Sequence, residues 1–408
     1  MRERPKYLTL YLLGILLLAV AFRAYGVWSH PAVPAGDADD YHQLATRMVQ
    51  GRGYVTAAGR PTAWRPPAYP VFLAGVYKIG GVNAERATIV QVIVGGLTVL
   101  MLTALAAMIL GWPRALIAGV IAAVYPALIW LPRLLLSENL SLFLMLGSLG
   151  AIILYLRTSR IFWIIVFGVL CALNTLVRGG NMFLPIVVAV GLLVLHWRNW
   201  KQLVAPVLVM TVAFVVTLLP WTIRNYRVFH HVIPIATQDG MTLYVSYWPP
   251  ERNSRLIWGT LPGDEDPAFQ AAEKNGDEVS ASSYLNQLTR KRLRENPGFF
   301  FRLIPSKLAS LLVPLDWEIF AHAPGTTRSL NIGYLLILLP ALLGFIVMLR
   351  ERAPYQWLLW IVPGLVLVQA ILFYGSPRFR LPAELIAIIP AAAGVWAIWE
   401  FLKRRVRS

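Results

Sequence analysis

Charged side chains stand where a hydrophobic chain has no structural need for them. The stretch "GDADDYHQLA" begins at Gly36, and Asp37, Asp39 and Asp40 follow closely on the first apolar run. A carboxylate near a bilayer surface can take the proton of a hydroxyl as that oxygen attacks an electrophile. Helical phasing from Asp37 onward puts Asp37, Asp40 and Tyr41 near one face and turns Asp39 away. A second acid, Glu138 in "SENL", opens a later apolar run, where an isolated carboxylate is expensive. Capping of that helix by a negative group near its N-terminus is the structural alternative to work in a site. Around these acids stand six arginines: Arg65 in "TAWRPPAYP", Arg133 before "LLLSENL", Arg178 in "RGGN", Arg224 in "PWTIRNY", and Arg378 and Arg380 in "YGSPRFRLP". The planar guanidinium fork suits phosphate oxygens. Any one arginine could snorkel to headgroups or pair with a nearby acid. Six at one face, around an acidic loop, point to a site for a phosphorylated lipid.

The elements that hold these residues are apolar. Of 408 residues 57% are hydrophobic and only 14% charged, against roughly 25% charged in soluble domains, so the chain is an integral membrane protein. Spans of about 20 apolar residues fit at 8–28, 88–110, 114–131, 134–156, 161–177, 182–197, 202–221, 331–349, 355–373 and 383–402. About ten transmembrane helices predict an all-α polytopic fold with interfacial helices and a small mixed extracytoplasmic region. An even number puts both termini on one side. Placing Met1 in the cytoplasm assigns Arg2, Arg4, Lys6, Arg114, Arg157, Arg160, Arg198, Lys201, Arg350, Arg352, Lys403, Arg404, Arg405 and Arg407 to the cytoplasmic face, the positive-inside bias. The first run has the charged start of a signal peptide but no small-residue cleavage site, so it reads as retained.

Three units follow: residues 1–221, a membrane module whose first outside loop, 29–87, carries the acidic motif; 222–330, an extracytoplasmic region; and 331–408, the last membrane helices. The region from 222 opens on "RNYRVFHHVIPIATQDGMTLYVSYWPP", rich in β-branched and aromatic residues and read as irregular or strand-like. "SASSYLNQLTRKRLREN" reads as a surface helix. Residues 299–317, "FFFRLIPSKLASLLVPLDW", are interrupted by Arg302, Pro305 and Lys307 and read as interfacial or re-entrant rather than spanning.

Several function classes are excluded or weakened. The net charge of +17 suits anionic headgroups, and no nucleic-acid motif accompanies it. The single cysteine, Cys171, lies in an apolar run and reads as packing. His230 and His231 lack metal-ligand spacing. No nucleotide-binding glycine loop, HExxH or nucleophile elbow occurs, and the Gly pairs at 80–81, 95–96 and 179–180 read as turns or close helix packing.

Taken in order, "GDADDYHQLA", "GRGY", "PTAWRPPAYPVFLA", "SENL", "LVRGGN", "PWTIRNYRVF" and "SPRFRLPAELIAIIPA" resemble the GT-C superfamily of membrane glycosyltransferases. The likeness is to the protein O-mannosyltransferase and lipid A aminoarabinose transferase-like branch, glycosyltransferase family 39-like. It covers nearly the full chain. The resemblance implies a polyprenyl-phosphate-linked sugar as donor, a lipid, glycan or protein as acceptor, and transfer at the extracytoplasmic face of the plasma (inner) membrane. Membrane lipids are the other expected partners, and a divalent cation is left open. The family's catalytic aspartate precedes a tyrosine by four positions, as Asp37 precedes Tyr41. Ala38 stands where members often carry Glu, and Asp40 is the second candidate for the base. Glu138 falls where the second acidic residue tends to occur. Arg178, Arg378 and Arg380 fall near the lipid phosphate, with Arg65, Arg133 and Arg224 as further phosphate-binding candidates, and Tyr41 and Tyr69 as positioning residues.

Two other readings compete. A transporter or flippase of lipid-linked sugars would spread charge along an alternating-access path, often with related halves; here the charges gather at one face and the halves look unlike. An O-antigen ligase or polymerase would place its arginine and histidine in a long late outside loop.

Overall fold

The computed structural model describes residues 5–29, 36–247, 266–274, 277–314 and 330–407. Arg2 and Arg4, and parts of the 222–330 region, lie outside these residues.

The helices are α1 (Leu8–Ser29), α2 (Asp37–Val49), α3 (Ala68–Gly80), α4 (Ala84–Leu110), α5 (Trp112–Val124), α6 (Pro126–Trp130), α7 (Glu138–Thr158), α8 (Ile161–Val177), α9 (Phe183–Leu195) and α10 (Lys201–Phe229). After them come α11 (Asp239–Ser246), α12 (Pro267–Lys274), α13 (Glu278–Glu295), α14 (Gly298–Leu312), α15 (Ile332–Arg350), α16 (Gln356–Leu372) and α17 (Pro377–Arg407). Each of the ten expected spans overlaps an apolar helix, and 114–131 runs across both α5 and α6. Six of them, α1, α4, α7, α10, α15 and α17, are long and apolar enough to cross a bilayer. A seventh crossing is available if α5 and residues 126–133, bent by 57°, act as one span. The apolar helices α8, α9 and α16 are shorter than the ~20 residues a perpendicular crossing needs.

The bend after α5 has a local cause. Proline at 126 removes a backbone donor and forces Tyr125 into an extended conformation (φ −70°, ψ 119°). Carbonyls at the end of α5 are left without helical partners, and Arg23 of α1 supplies them. Its Nη1 donates to Ala123 O and its Nη2 to Ala122 O, both at 3.2 Å. The guanidinium is buried, and it fits because Gly95 of α4 has no side chain: a Cβ there would meet Arg23 Cδ at 2.9 Å. Gly96 is as tight against Val20, so the 95–96 pair is a close helix crossing. The Gly80–Gly81 pair ends α3, and Gly179–Gly180 opens a short 3-10 turn. Small residues also join α15 to α17. A Cβ on Gly344 would lie 1.7 Å from Pro390 O, and one on Gly394 would lie 2.0 Å from Pro340 O. Around these crossings Val99, Leu102, Leu146, Leu149 and Phe167 fill a continuous apolar core.

The two ends of the bundle carry different chemistry. At one end Arg114 pairs with Glu351, and Arg157 donates to Met108 O and lies over the Tyr355 ring. All three basic and acidic groups belong to turns read as cytoplasmic. The 21 residues of α7, about 30 Å at 1.5 Å per residue, separate Arg157 from Glu138 at the opposite end.

The region after residue 221 corrects one expectation. "RNYRVF" continues α10 without a break, and "DGMTLYVS" forms α11. No strand occurs among the described residues, where an isolated bridge pairs Val55 with Pro61. The β-branched run gave a false signal because such preference depends on a neighbouring strand. Here the partner is α10 itself. His230 takes a left-handed conformation (φ 58°), and Asn225 and Trp221 donate to Ile233 O and Ile235 O, folding the segment back on the helix. The surface helix read in this region is α13, N-capped by Asp277.

Helix α14 has 15 residues, too few to span upright, and residues 315–317 of the stretch lie outside the described residues. It docks on the end of α16: buried Lys307 donates to Ile371 O at 3.2 Å and sits 4.0 Å from the Tyr247 ring centre. Burial pushes Lys307 down to about 7 and Tyr247 up to about 12. Between about pH 7 and the ordinary lysine value of about 10.4, the unfolded chain therefore holds a proton that the folded chain has released. Stability should rise with pH across that window and stay level below it. Thermal unfolding in detergent from pH 6 to 10 checks this. The slope should vanish in Lys307→Met, and an equal slope in both proteins would refute it.

Candidate active site

Helix α2 brings its acids to the site because its first turn is not capped by them. Gly36 begins the helix at φ 55° with no side-chain cap, which leaves Asp37 and Asp40 free to reach Arg65. Arg65 Nη2 lies 2.7 Å from Asp37 Oδ1 and 2.6 Å from Asp40 Oδ2. Asp39 faces elsewhere and accepts from Gln43. On the other side Arg378, in the first turn of α17, donates from Nη1 to Asp37 Oδ2 at 2.8 Å. Its Nε donates to Glu138 at the start of α7. Arg178, between α8 and the 3-10 turn, pairs with the same Glu138 oxygen at 2.5 Å. The result is one continuous chain of charge, Asp40–Arg65–Asp37–Arg378–Glu138–Arg178, in which three arginines meet three carboxylates. Glu138 stands in the first turn of α7, where a negative charge suits the helix N-terminus, and it is also a partner of two arginines.

This setting controls the acids. Burial would raise the Asp37 carboxyl, but the charges of Arg378 and Arg65 outweigh it and hold Asp37 well below the usual carboxylate range. The loop that carries Arg65 is itself clasped. Arg224 donates to Thr62 O and Tyr54 O at 2.7 and 2.9 Å. Glu278 of α13 accepts from the Thr62 hydroxyl and the Ala63 amide at 2.7 and 2.5 Å. Gln238, next to α11, accepts from Arg65.

Some expected residues are not in the cluster. Arg224 serves the loop and stacks over Trp221 at 4.9 Å. Arg133 lies by Trp130, with its buried Nε unpartnered. Arg380 is only two positions from Arg378, but two residues along a helix turn the side chain about 200°. It pairs with Glu384, donates to Leu311 O and Val313 O at the end of α14, and covers the Tyr334 ring at 3.8 Å. Glu384 in turn accepts from Tyr125 at the bend. Tyr69 is buried and donates to Gln91, away from the charges. Tyr41, 4.9 Å from it edge to face, reaches the edge of the cluster, with the Arg65 guanidinium 5.5 Å from its ring centre and its hydroxyl donating to Ser137.

A small cleft opens beside Glu138, Arg178 and Arg378. Ser141, Asn181 and Gln369 form a neutral polar layer of its lining, and Leu142, Met145, Leu184, Val362, Leu365 and Val366 an apolar one. Asn181 donates to Ser141, and Ser141 to Asn174, at 2.9 and 2.8 Å; Gln369 donates to Gly180 O. Sequence reasoning missed this polar layer. Ser141 stands one turn after Glu138, and Gln369 is a lone amide in an apolar run, so both left a signal. Among the described residues no three His, Cys, Asp or Glu side chains gather as a metal site; Asp37 and Glu138 are matched by arginines.

A family model described as dolichyl-phosphate-mannose-protein mannosyltransferase matches residues 64–221. No curated protein matches the chain. Among solved structures, the apo oligosaccharyltransferase of Archaeoglobus fulgidus is similar at a TM-score of 0.60 and 16% identity, over 98% of this chain and 52% of that one. The same archaeal enzyme, AglB, in complex with an inhibitory peptide and a dolichol-phosphate, gives 0.58 and 14%, over 98% and 52%. ArnT from Cupriavidus metallidurans, bound to undecaprenyl phosphate, is a weaker likeness at 0.45 and 16%, over 95% and 77%. The chain spans about half the length of the oligosaccharyltransferase chains it matches. Its fold is shared with the Archaeoglobus fulgidus oligosaccharyltransferase.

Proposed function

We propose that the chain transfers a sugar, a hexosyl or pentosyl unit, from a polyprenyl-phosphate-linked donor to an acceptor hydroxyl at the extracytoplasmic face of the membrane. The observation that carries this reading is the cleft: guanidinium groups at one end and apolar walls beyond suit a ligand with an anionic head and a hydrocarbon tail. The family model over 64–221 and the likeness in fold to an enzyme solved with dolichol-phosphate support it. In the proposed reaction the acceptor oxygen bonds to the anomeric carbon as the bond from that carbon to the phosphate oxygen breaks. The electron pair stays on the phosphate, and the acceptor proton passes to Asp37. Arg178 and Arg378 stabilise the charge that develops on the leaving phosphate. Displacement in line, with one base, inverts the anomeric centre, by analogy with inverting carbohydrate chemistry. Glu138 orients both arginines. The inner membrane as location, cytoplasmic termini and an extracytoplasmic site belong to the same proposal, supported by the separation of the two charged ends along α7.

Incubating the purified protein with a panel of polyprenyl-phosphate sugars and an acceptor mixture should release polyprenyl phosphate. No release with any donor, with or without divalent cations, would move the assignment to a transporter of lipid-linked sugars.

A further inference from the structure

In this structure Asp37 is closed off on both sides. Arg65 holds its Oδ1 at 2.7 Å and Arg378 its Oδ2 at 2.8 Å. A carboxylate gripped by two guanidinium groups is a poor proton acceptor, and Asp37 is held well below its ordinary range. The two arginines differ in what else they do. Arg65 belongs to the first loop, where Asp40, Gln238 and the Tyr54 hydroxyl, bonded to the Arg65 carbonyl, keep it in place. Arg378 instead lines the cleft beside Arg178 and joins Asp37 to Glu138. It is the one group of the cluster that touches both Asp37 and the cleft.

We infer that Arg378 masks Asp37 until the donor arrives: a phosphate entering the cleft draws the guanidinium from Asp37 Oδ2, and only then does Asp37 accept the proton of the acceptor. This inference rests on the proposed glycosyl transfer. A phosphate offers the arginine fork a better-matched set of oxygens than one carboxylate oxygen does. Once Arg378 is shared with it, the attraction that suppresses the basicity of Asp37 is shared as well. The coupling is reciprocal by linkage: the factor by which phosphate raises the proton affinity of Asp37 is the factor by which neutralising Asp37 raises the affinity for phosphate. The order of events follows. Acceptor that arrives before the donor meets a carboxylate unable to take its proton.

The test measures equilibrium binding of a polyprenyl phosphate in detergent micelles to the full chain and its variants. Asp37→Asn should bind it about fivefold more tightly than the wild type, or better. Asp37→Ser, which also removes the amide, should show the same gain, so a folding defect in one variant does not decide the outcome. Asp39→Asn removes the same charge from the same helix but frees neither Arg65 nor Arg378, and should bind as the wild type does. In an Arg378→Gln background the gain from Asp37→Asn should disappear. Wild-type binding with equal or weaker binding by both Asp37 variants would overturn the masking role and leave the glycosyl-transfer reading standing. No binding by any protein, wild type included, would overturn both.

Discussion

Asp37→Asn is expected to yield a folded membrane protein whose sugar transfer falls by roughly 10²- to 10⁴-fold, the range a general base supplies. The amide keeps one oxygen as an acceptor for Arg65 or Arg378, so the turn at Gly36 and the packing of Tyr41 against Tyr69 should persist. What it cannot do is take a proton. Comparison with Asp40→Asn makes the assignment specific. Asp40 pairs with Arg65 alone and is about half exposed, so its loss should leave most of the activity. Turnover of both variants would be measured with one donor and saturating acceptor, beside thermal unfolding of each protein. A greater loss in Asp40→Asn would transfer the base to Asp40, and full turnover by Asp37→Asn would end the proposal for Asp37.

The largest effect on stability is expected where α15 crosses α17. A methyl group on Gly344 or Gly394 would stand 1.7 or 2.0 Å from a backbone carbonyl of the other helix. Neither carbonyl can move without its helix, so the pair must separate. Overpacking of this kind costs about 1–3 kcal/mol where side chains can yield, and here the obstacle is backbone. Gly344→Ala and Gly394→Ala should each lose at least about 3 kcal/mol, a value at the severe end for one substitution. Gly364→Ala, in α16 with nothing within 4 Å of its Cβ position, is the matched control and should be neutral or slightly stabilising. Thermal unfolding in one detergent compares the three. Unfolding of the Gly344 and Gly394 variants at the wild-type temperature would show that the crossing is looser than the structure has it.

Much of the fold could be read in advance because length and apolarity carry that information locally. Each expected span contains or overlaps a helix, and the acidic motif opens α2 as its phasing required. The site was legible in part. Asp37, Asp40, Glu138, Arg65, Arg178 and Arg378 do come together, and their residue types were the signal. Arg380 and Arg224 were of the same type and similarly placed along the chain, but their partners, Glu384 and the carbonyls of residues 54 and 62, are set by tertiary packing. Helix phase separates Arg378 from Arg380, and the phase of a helix that starts at a proline is invisible until its first residue is known. Of the two readings of the run after residue 221, the irregular one describes residues 230–238, and the strand-like one failed for a related reason: the segment's partners are side chains of the helix before it. The bend at Tyr125 was visible as a proline, whereas Arg23, which makes it tolerable inside a membrane, gave no local sign.

The chain of charge at the site has a consequence for how a ligand finds it. Three guanidinium groups matched by three carboxylates cancel one another at a distance, and beyond a screening length of about 8 Å at physiological salt they cast little field. Such a cluster attracts an anion by contact and does not gather it from afar, unlike a cleft lined by one sign of charge. Encounter is then governed by random motion within the leaflet, and recognition begins only when the headgroup is already among the arginines.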